Sequence, residues 1–258
     1  MGTPYLTIFL VVLLYMTAWF LLALWRRRND LADIAWGGGF IAAALSAGWL
    51  QTGGTPRARL VILMVILWGV RLAVHIGLRN LGRGEDERYR KWREEWGRRW
   101  LLRSFLQVFL LQGVLLYLIS LPVMAVVLAK PSPWTWLDGL GLAVWTAGFF
   151  FEAVGDFQLA QFKKKPGSRG RIIQHGLWRY SRHPNYFGEV TLWWGIYLLA
   201  LSTPGGWMTI IGPLTITILI LKVSGIPLLE KKYVNNAAFQ EYARRTSAFF
   251  PLPPRKDG

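Results

Sequence analysis

Seven apolar runs, at about 5–25, 32–51, 60–78, 105–129, 136–161, 186–203 and 207–228, constrain this chain more than any other feature. Each has about the length that a helix needs to cross a bilayer, roughly 20 residues. Backbone N–H and C=O groups find no water inside a membrane, so runs of this kind must close their hydrogen bonds as helices. The expected fold is therefore all-α, a polytopic membrane protein with seven transmembrane helices. Composition agrees: 53% of the 258 residues are hydrophobic and 15 are Trp, more than an ordinary soluble domain carries. The first run follows no basic segment and ends in "LLALWRRR" without a small-residue cleavage site. It reads as a retained span and not as a signal peptide. "MGTPYL" lacks the Ser or Thr that favours a myristoyl anchor. The chain has no Cys, which excludes disulfides and thiolate metal ligands, and no metal site is expected.

The net charge of +16 raises the question of nucleic acid, and its distribution answers it. The segments after the first, third, fifth and seventh runs carry 3, 9, 7 and 6 Lys/Arg, 25 of the 30 in the chain. The opposite segments carry only Arg57, Arg59 and Lys130. Such alternation is the positive-inside pattern, with the N-terminus outside and the C-terminus in the cytoplasm. No nucleic-acid module accompanies the charge, and no nucleic acid partner is expected. Residues 79–103 alternate charge with Trp, as a helix lying on the membrane surface does. No internal repeat or soluble domain is visible, so residues 1–258 read as one membrane-embedded domain.

Ionisable groups inside spans are costly and mark function or a buried pair. Arg71, His75 and Arg79 recur every four residues on the third run, and Glu152 and Asp156 share a face of the fifth. Asp33 lies near the cytoplasmic end of the second run and Glu189 near the start of the sixth. All fall in the cytoplasmic half, which fits a polar cavity better than scattered ion pairs.

The stretch "RYSRHPNYFGE" (179–189) concentrates this chemistry. Pro184 suits the first position of a helix. The unpaired N–H groups after it, with Arg179, Arg182 and His183, would attract an anion. Asn185, Glu189 and Trp193 follow at four-residue spacing and would put an amide, a carboxylate and a ring on one face. Asn185 and Glu189 would suit a carboxamide or ribose, with phosphates on the basic loop before them.

"SRHPNYFGE" is similar to a signature shared by steroid 5α-reductases and sterol reductases with isoprenylcysteine and phospholipid methyltransferases. With "NDLADIAWGGGF" (29–40), "GRGEDERYRKWREEWG" (82–97) and "FQEYARRTSAFFPLPP" (239–254), the chain resembles a bacterial member of the steroid 5α-reductase superfamily. The resemblance is strong from about residue 150 onward and thinner before it. It implies a substrate side at about 1–130 and an NADPH-binding half at about 131–258. Cofactor contacts would fall on Glu152, Asp156, Asn185, Glu189 and Trp193, and on Arg79 and Tyr233. Lys163 stands where the reductases place an arginine, and Arg171, Arg182 and His183 belong to the same basic loop. No strand precedes a G-x-G-x-x-G, and "GGGF" lies inside a span, so no Rossmann site is expected.

In that family a glutamate on the second span and a tyrosine on the third stabilise the substrate carbonyl. Asp33 matches the glutamate; beneath Trp36, which would line the substrate site, it could donate as a neutral acid. The tyrosine has no counterpart in "AVHIGLRN", where His75 is the neighbour, and Tyr89 of "EDERY" is the nearest alternative. The expected activity is NADPH-dependent reduction of a lipophilic enone, such as a 3-oxo-4-ene steroid. It would take place in a bacterial inner membrane, with the site facing the cytoplasm. Besides this substrate and membrane lipid, no obligate protein partner is evident. An S-adenosylmethionine-dependent methyltransferase is the alternative, weakened by the Glu152/Asp156 pair. A non-enzymatic transporter or lipid-binding protein is third, because transporters often show inverted repeats and nothing in this chain repeats.

Overall fold

A computed structural model describes residues 2–51, 53–82, 84–168 and 170–255. The described residues are largely helical and contain no strand. Three long helices come first: α1 (Gly2–Arg26), α2 (Leu31–Leu50) and α3 (Pro56–Asn80). The short α4 (Glu87–Trp96) leads through a 3-10 turn into α5 (Trp100–Arg103) and a π-helical stretch, Ser104–Leu110. Helices α6 (Leu111–Ile119) and α7 (Leu121–Val127) follow, then α8 (Trp136–Lys164) and α9 (Pro184–Leu201). The chain ends with α10 (Ile211–Ile218), α11 (Ile226–Lys231) and α12 (Ala237–Arg245).

Among the described residues, six helical segments are long and apolar enough to cross a membrane: Gly2–Arg26, Leu31–Leu50, Pro56–Asn80, Glu87–Ile119, Trp136–Lys164 and Gly206–Lys231. The run expected at 186–203 forms helix α9 but is not one of the six; its first two turns hold Asn185 and Glu189 among aromatic side chains. The fourth segment begins earlier than its apolar run, because α4 continues into it. Gly97, at φ 48°, marks the break after α4.

Capping residues fix several helix starts. Thr55 accepts from the Ala58 N–H ahead of Pro56, and Thr135 forms a capping box with Asp138 at the head of α8. Arg57, buried, donates to Ser132 Oγ and to the Pro133 carbonyl, both at 2.6 Å, and so ties the start of α3 to the segment after α7.

The chain forms two compact units, one comprising Met1–Pro133 and Thr203–Gly212, the other Trp134–Ser202 and Pro213–Gly258. In the first, α2 is the hub, and its three consecutive glycines each admit a different neighbour. A side chain at Gly37 would press on the Gly69 carbonyl of α3, one at Gly38 on the Tyr15 hydroxyl of α1, and one at Gly39 on Leu116 of α6. These glycines are packing surfaces, which is why they sit within a span.

In the second unit α8 and α9 pack backbone against backbone. Gly141, Gly148 and Gly155 recur every seven residues on α8, and Gly188 and Gly195 do so on α9. A Cβ at Gly141 would stand 2.8 Å from the Gly195 carbonyl oxygen, and one at Gly188 would collide with the Glu152 backbone N–H. Small residues at such a seam let two helices approach closely inside a membrane. Gly188→Ala should therefore destabilise the protein by roughly 1–3 kcal/mol through overpacking. Gly139→Ala, on the partner helix α8 with nothing within 4 Å of the added carbon, should not. Thermal unfolding in detergent distinguishes the two, and equal midpoints would show that the seam tolerates a methyl group.

Candidate functional site

In the first unit the charged run 85–93 folds into α4, with Tyr89, Trp92 and Trp96 spaced to share one face. All three join a cluster containing Met16, Phe20, Ala32, Ala35, Val108 and Phe109. Asp86 caps the helix by accepting from the Arg88 N–H at 2.9 Å. This seating delivers the Tyr89 hydroxyl to Asp33 on α2, where it donates to Oδ1 at 2.6 Å. Arg88 completes the cluster, reaching Asp33 Oδ2 at 3.3 Å and Asp86 Oδ1 at 3.0 Å. The Gln112 side chain adjoins the same phenol. A half-buried carboxylate, a buried phenol and a half-buried guanidinium thus meet at one point.

A second network holds that point in place. Buried Asn29 donates to Ser104 Oγ at 2.8 Å, and its backbone N–H donates to Glu85 at 2.6 Å. Asp30, also buried, takes two hydrogen bonds from Arg28, at 3.0 and 2.7 Å. Glu85 pairs with Arg93 at 2.7 Å. The loop before α2 is therefore clamped to the segment entering α4.

In the second unit the glycine seam sets the geometry. Gly188 lies against the backbone of Glu152, which is buried, and Gly155 faces the Asn185 N–H. Asn185 donates from Nδ2 to Asp156 Oδ1 at 3.0 Å, while its own Oδ1 is buried without a partner. The Trp145 indole N–H, buried on α8, also has no partner. Glu189, partly buried, and Trp193, fully buried, follow along α9.

Arg182 and His183 are committed elsewhere. Arg182 donates to both oxygens of Glu230, at 2.8 and 3.1 Å, and to the carbonyls of Ala243 and Thr246. A guanidinium has five N–H donors, so one remains. His183 Nε2 lies 2.9 Å from Glu230 and its ring stacks on Tyr186. These two residues, expected to attract an anion, serve instead to fasten the C-terminal segment. That segment is also held by Arg182 N–H to Ser247, by Ser181 Oγ to Phe249 and by Leu252 N–H to Tyr180. Tyr242 donates to the Trp178 carbonyl.

The remaining expected residues are dispersed. Lys163 and Arg171 are exposed, Tyr233 stacks on Phe239 at 5.2 Å, and Trp36 packs edge-on against Phe40 at 5.2 Å. His75 is partly buried on α3, and exposed Arg79 bonds to Asn80 at 3.4 Å. Sequence reasoning missed Arg88 and Glu85, which lie in the stretch read as a surface helix or just beside it, and Asn29 and Asp30 at the head of the second run. It also missed the seam, although the seven-residue glycine spacing was there to find.

Fold and site together define a polytopic helical membrane protein with two buried polar clusters. Residues 19–246 match the family described as "Protein of unknown function (DUF1295)", and the chain belongs to that family. Comparison with curated proteins and with solved structures finds no match.

Burial raises the pKa of Tyr242 above the ordinary value of 10.0. The folded state keeps the neutral phenol, so docking of the C-terminal segment is intact below pH 10 and is lost as pH climbs toward the raised value. Digestion with an alkali-stable protease should cut this segment faster above about pH 10. Tyr242→Phe should be cut faster at neutral pH and lose the alkaline step, because it leaves a buried carbonyl unpaired at a cost of about 1–3 kcal/mol.

Proposed function

We propose that this protein is an NADPH-dependent reductase of a conjugated C=C bond in a lipophilic enone, of the steroid 5α-reductase type. The observation that carries the reading is the Tyr89–Asp33 contact of 2.6 Å with Arg88 beside it. Such a cluster suits an oxygen that gathers negative charge, because donors fixed in a buried site need no reorganisation as the charge develops. A 3-oxo-4-ene steroid is the substrate class of choice. In this reading α9 completes seven spans, with the N-terminus outside. The candidate active site then faces the cytoplasm of a bacterial inner membrane.

Asn185 supports the cofactor assignment. Its buried, unpartnered Oδ1 is an acceptor that the carboxamide or a ribose hydroxyl of NADPH would satisfy. Asp156 orients the amide for that purpose, and Glu152, Glu189 and Trp193 lie along the same two helices. Exposed Lys163 and Arg171 would meet the phosphates, because Arg182 and His183 are occupied by Glu230.

NADPH supplies the hydride for the β-carbon. The residues of this chain manage the proton. With Asp33 protonated, its carboxyl O–H would donate to the Tyr89 oxygen across the 2.6 Å contact and release the Tyr89 O–H for a substrate carbonyl, with Arg88 compensating the charge left on the pair. As the carbonyl oxygen becomes an enolate, it would accept a hydrogen bond from Tyr89. A proton from water would then reach the α-carbon, so that hydride and proton together give the saturated ketone.

Purified protein given NADPH and progesterone or testosterone should consume the cofactor and yield a dihydrosteroid. Tyr89→Phe should lower kcat by about 10²–10⁴-fold with little change in the KM for NADPH, as loss of a proton donor does. Asn185→Ala should instead raise that KM. Thermal stabilisation by S-adenosylmethionine and none by NADPH would replace the reductase with a methyltransferase.

A further inference from the structure

Helix α1 ends in a cap that normally belongs to glycine. The Arg28 N–H donates to the Ala23 carbonyl at 2.9 Å and the Arg27 N–H to the Leu24 carbonyl at 3.1 Å. This is the double hydrogen bond of a Schellman motif, whose next-to-last position adopts the left-handed conformation. Arg27 occupies it at φ 53°, and is the sole non-glycine residue with positive φ among the described residues. An L side chain is disfavoured there where glycine is not. A residue held against its own preference points to a use for its side chain.

That side chain lines a cavity of about 450 Å³ formed by Leu24, Arg27, Arg93, Trp100 and Leu101. Arg93 forms its back wall, lying over the Trp100 ring at 4.9 Å and donating to the Arg27 carbonyl at 3.0 Å. Glu85 neutralises Arg93 through a 2.7 Å pair, but the Arg93 Nε is buried without a partner. The Arg27 guanidinium has no side-chain partner among the described residues. One net positive charge, that of Arg27, therefore faces a cavity whose other walls are Arg93, leucine and indole. Trp25, exposed next to the cap and carrying Arg26 over its ring at 4.6 Å, has the character of a residue at the membrane–water boundary.

We propose that this cavity binds the headgroup of an anionic phospholipid. The phosphodiester meets Arg27 and Arg93, and the glycerol and upper acyl chain rest on Leu24, Trp100 and Leu101. A free phosphate would use the same two arginines but leave the apolar walls bare, so the lipid is the occupant. The proposal does not depend on the reductase reading.

The full-length protein in neutral detergent should be titrated with phosphatidylglycerol, phosphatidylcholine and inorganic phosphate, followed by native mass spectrometry and thermal unfolding. Phosphatidylglycerol should bind and stabilise; the other two should not. Arg27→Gly removes the guanidinium and suits the left-handed cap, so it should fold at least as well as wild type yet bind phosphatidylglycerol roughly fivefold or more weakly. Arg27→Lys should lie between, and Arg98→Ala should change little. Unchanged binding by Arg27→Gly, equal binding of phosphatidylcholine, or displacement of the lipid by millimolar phosphate would each overturn the site.

Discussion

Contact between the backbones of α8 and α9 decides what the second unit can place where. With no Cβ at Gly148, Gly155, Gly188 or Gly195, the two helices meet at distances that any larger residue would forbid. Dispersion between such closely fitted surfaces holds the pair, and it falls off steeply if the two backbones are forced apart. Its consequence is chemical: Glu152 is buried at Gly188, and Asp156 meets the Asn185 amide. Buried polar groups of this kind are costly unless satisfied, so the seam and the cluster stand or fall together.

The first unit reaches a similar end by other means. Its glycines, 37 to 39, bring three helices onto α2, and the aromatic face of α4 is drawn into the core beneath them. Tyr89 arrives at Asp33 because Trp92 and Trp96 fix the rotation of α4, while Asp30, Glu85 and their arginines fix its height. Most acids of this unit are paired with arginine; Asp156 in the second is paired with an amide. That contrast separates a cluster suited to moving a proton from one suited to holding a polar ligand.

Much of the fold was legible in the chain. Apolar runs need only length and composition to declare a helix, and the observed helices start or end within a few residues of most of them. The exceptions are instructive. The run at 105–129 belongs to a longer helical segment that starts at Glu87 and breaks at Ser120, since α4 is amphipathic and its Tyr and Trp are hidden by intervening charges. Arg182 and His183, adjacent to a helix start, looked free for an anion; Glu230, nearly fifty residues away, takes both.

What the sequence determined by itself is the inventory: helical spans, the side on which basic residues gather, and the acids that lie within apolar runs. Local periodicity and hydropathy are properties of neighbouring residues, and they carry that much. Partner choice was decided only in three dimensions. Asp33 could have met Arg71, Arg79 or Arg88, and only helix packing selects Arg88 and Tyr89. Hydrogen bonds act over about 3 Å, a distance that spacing along a chain does not specify.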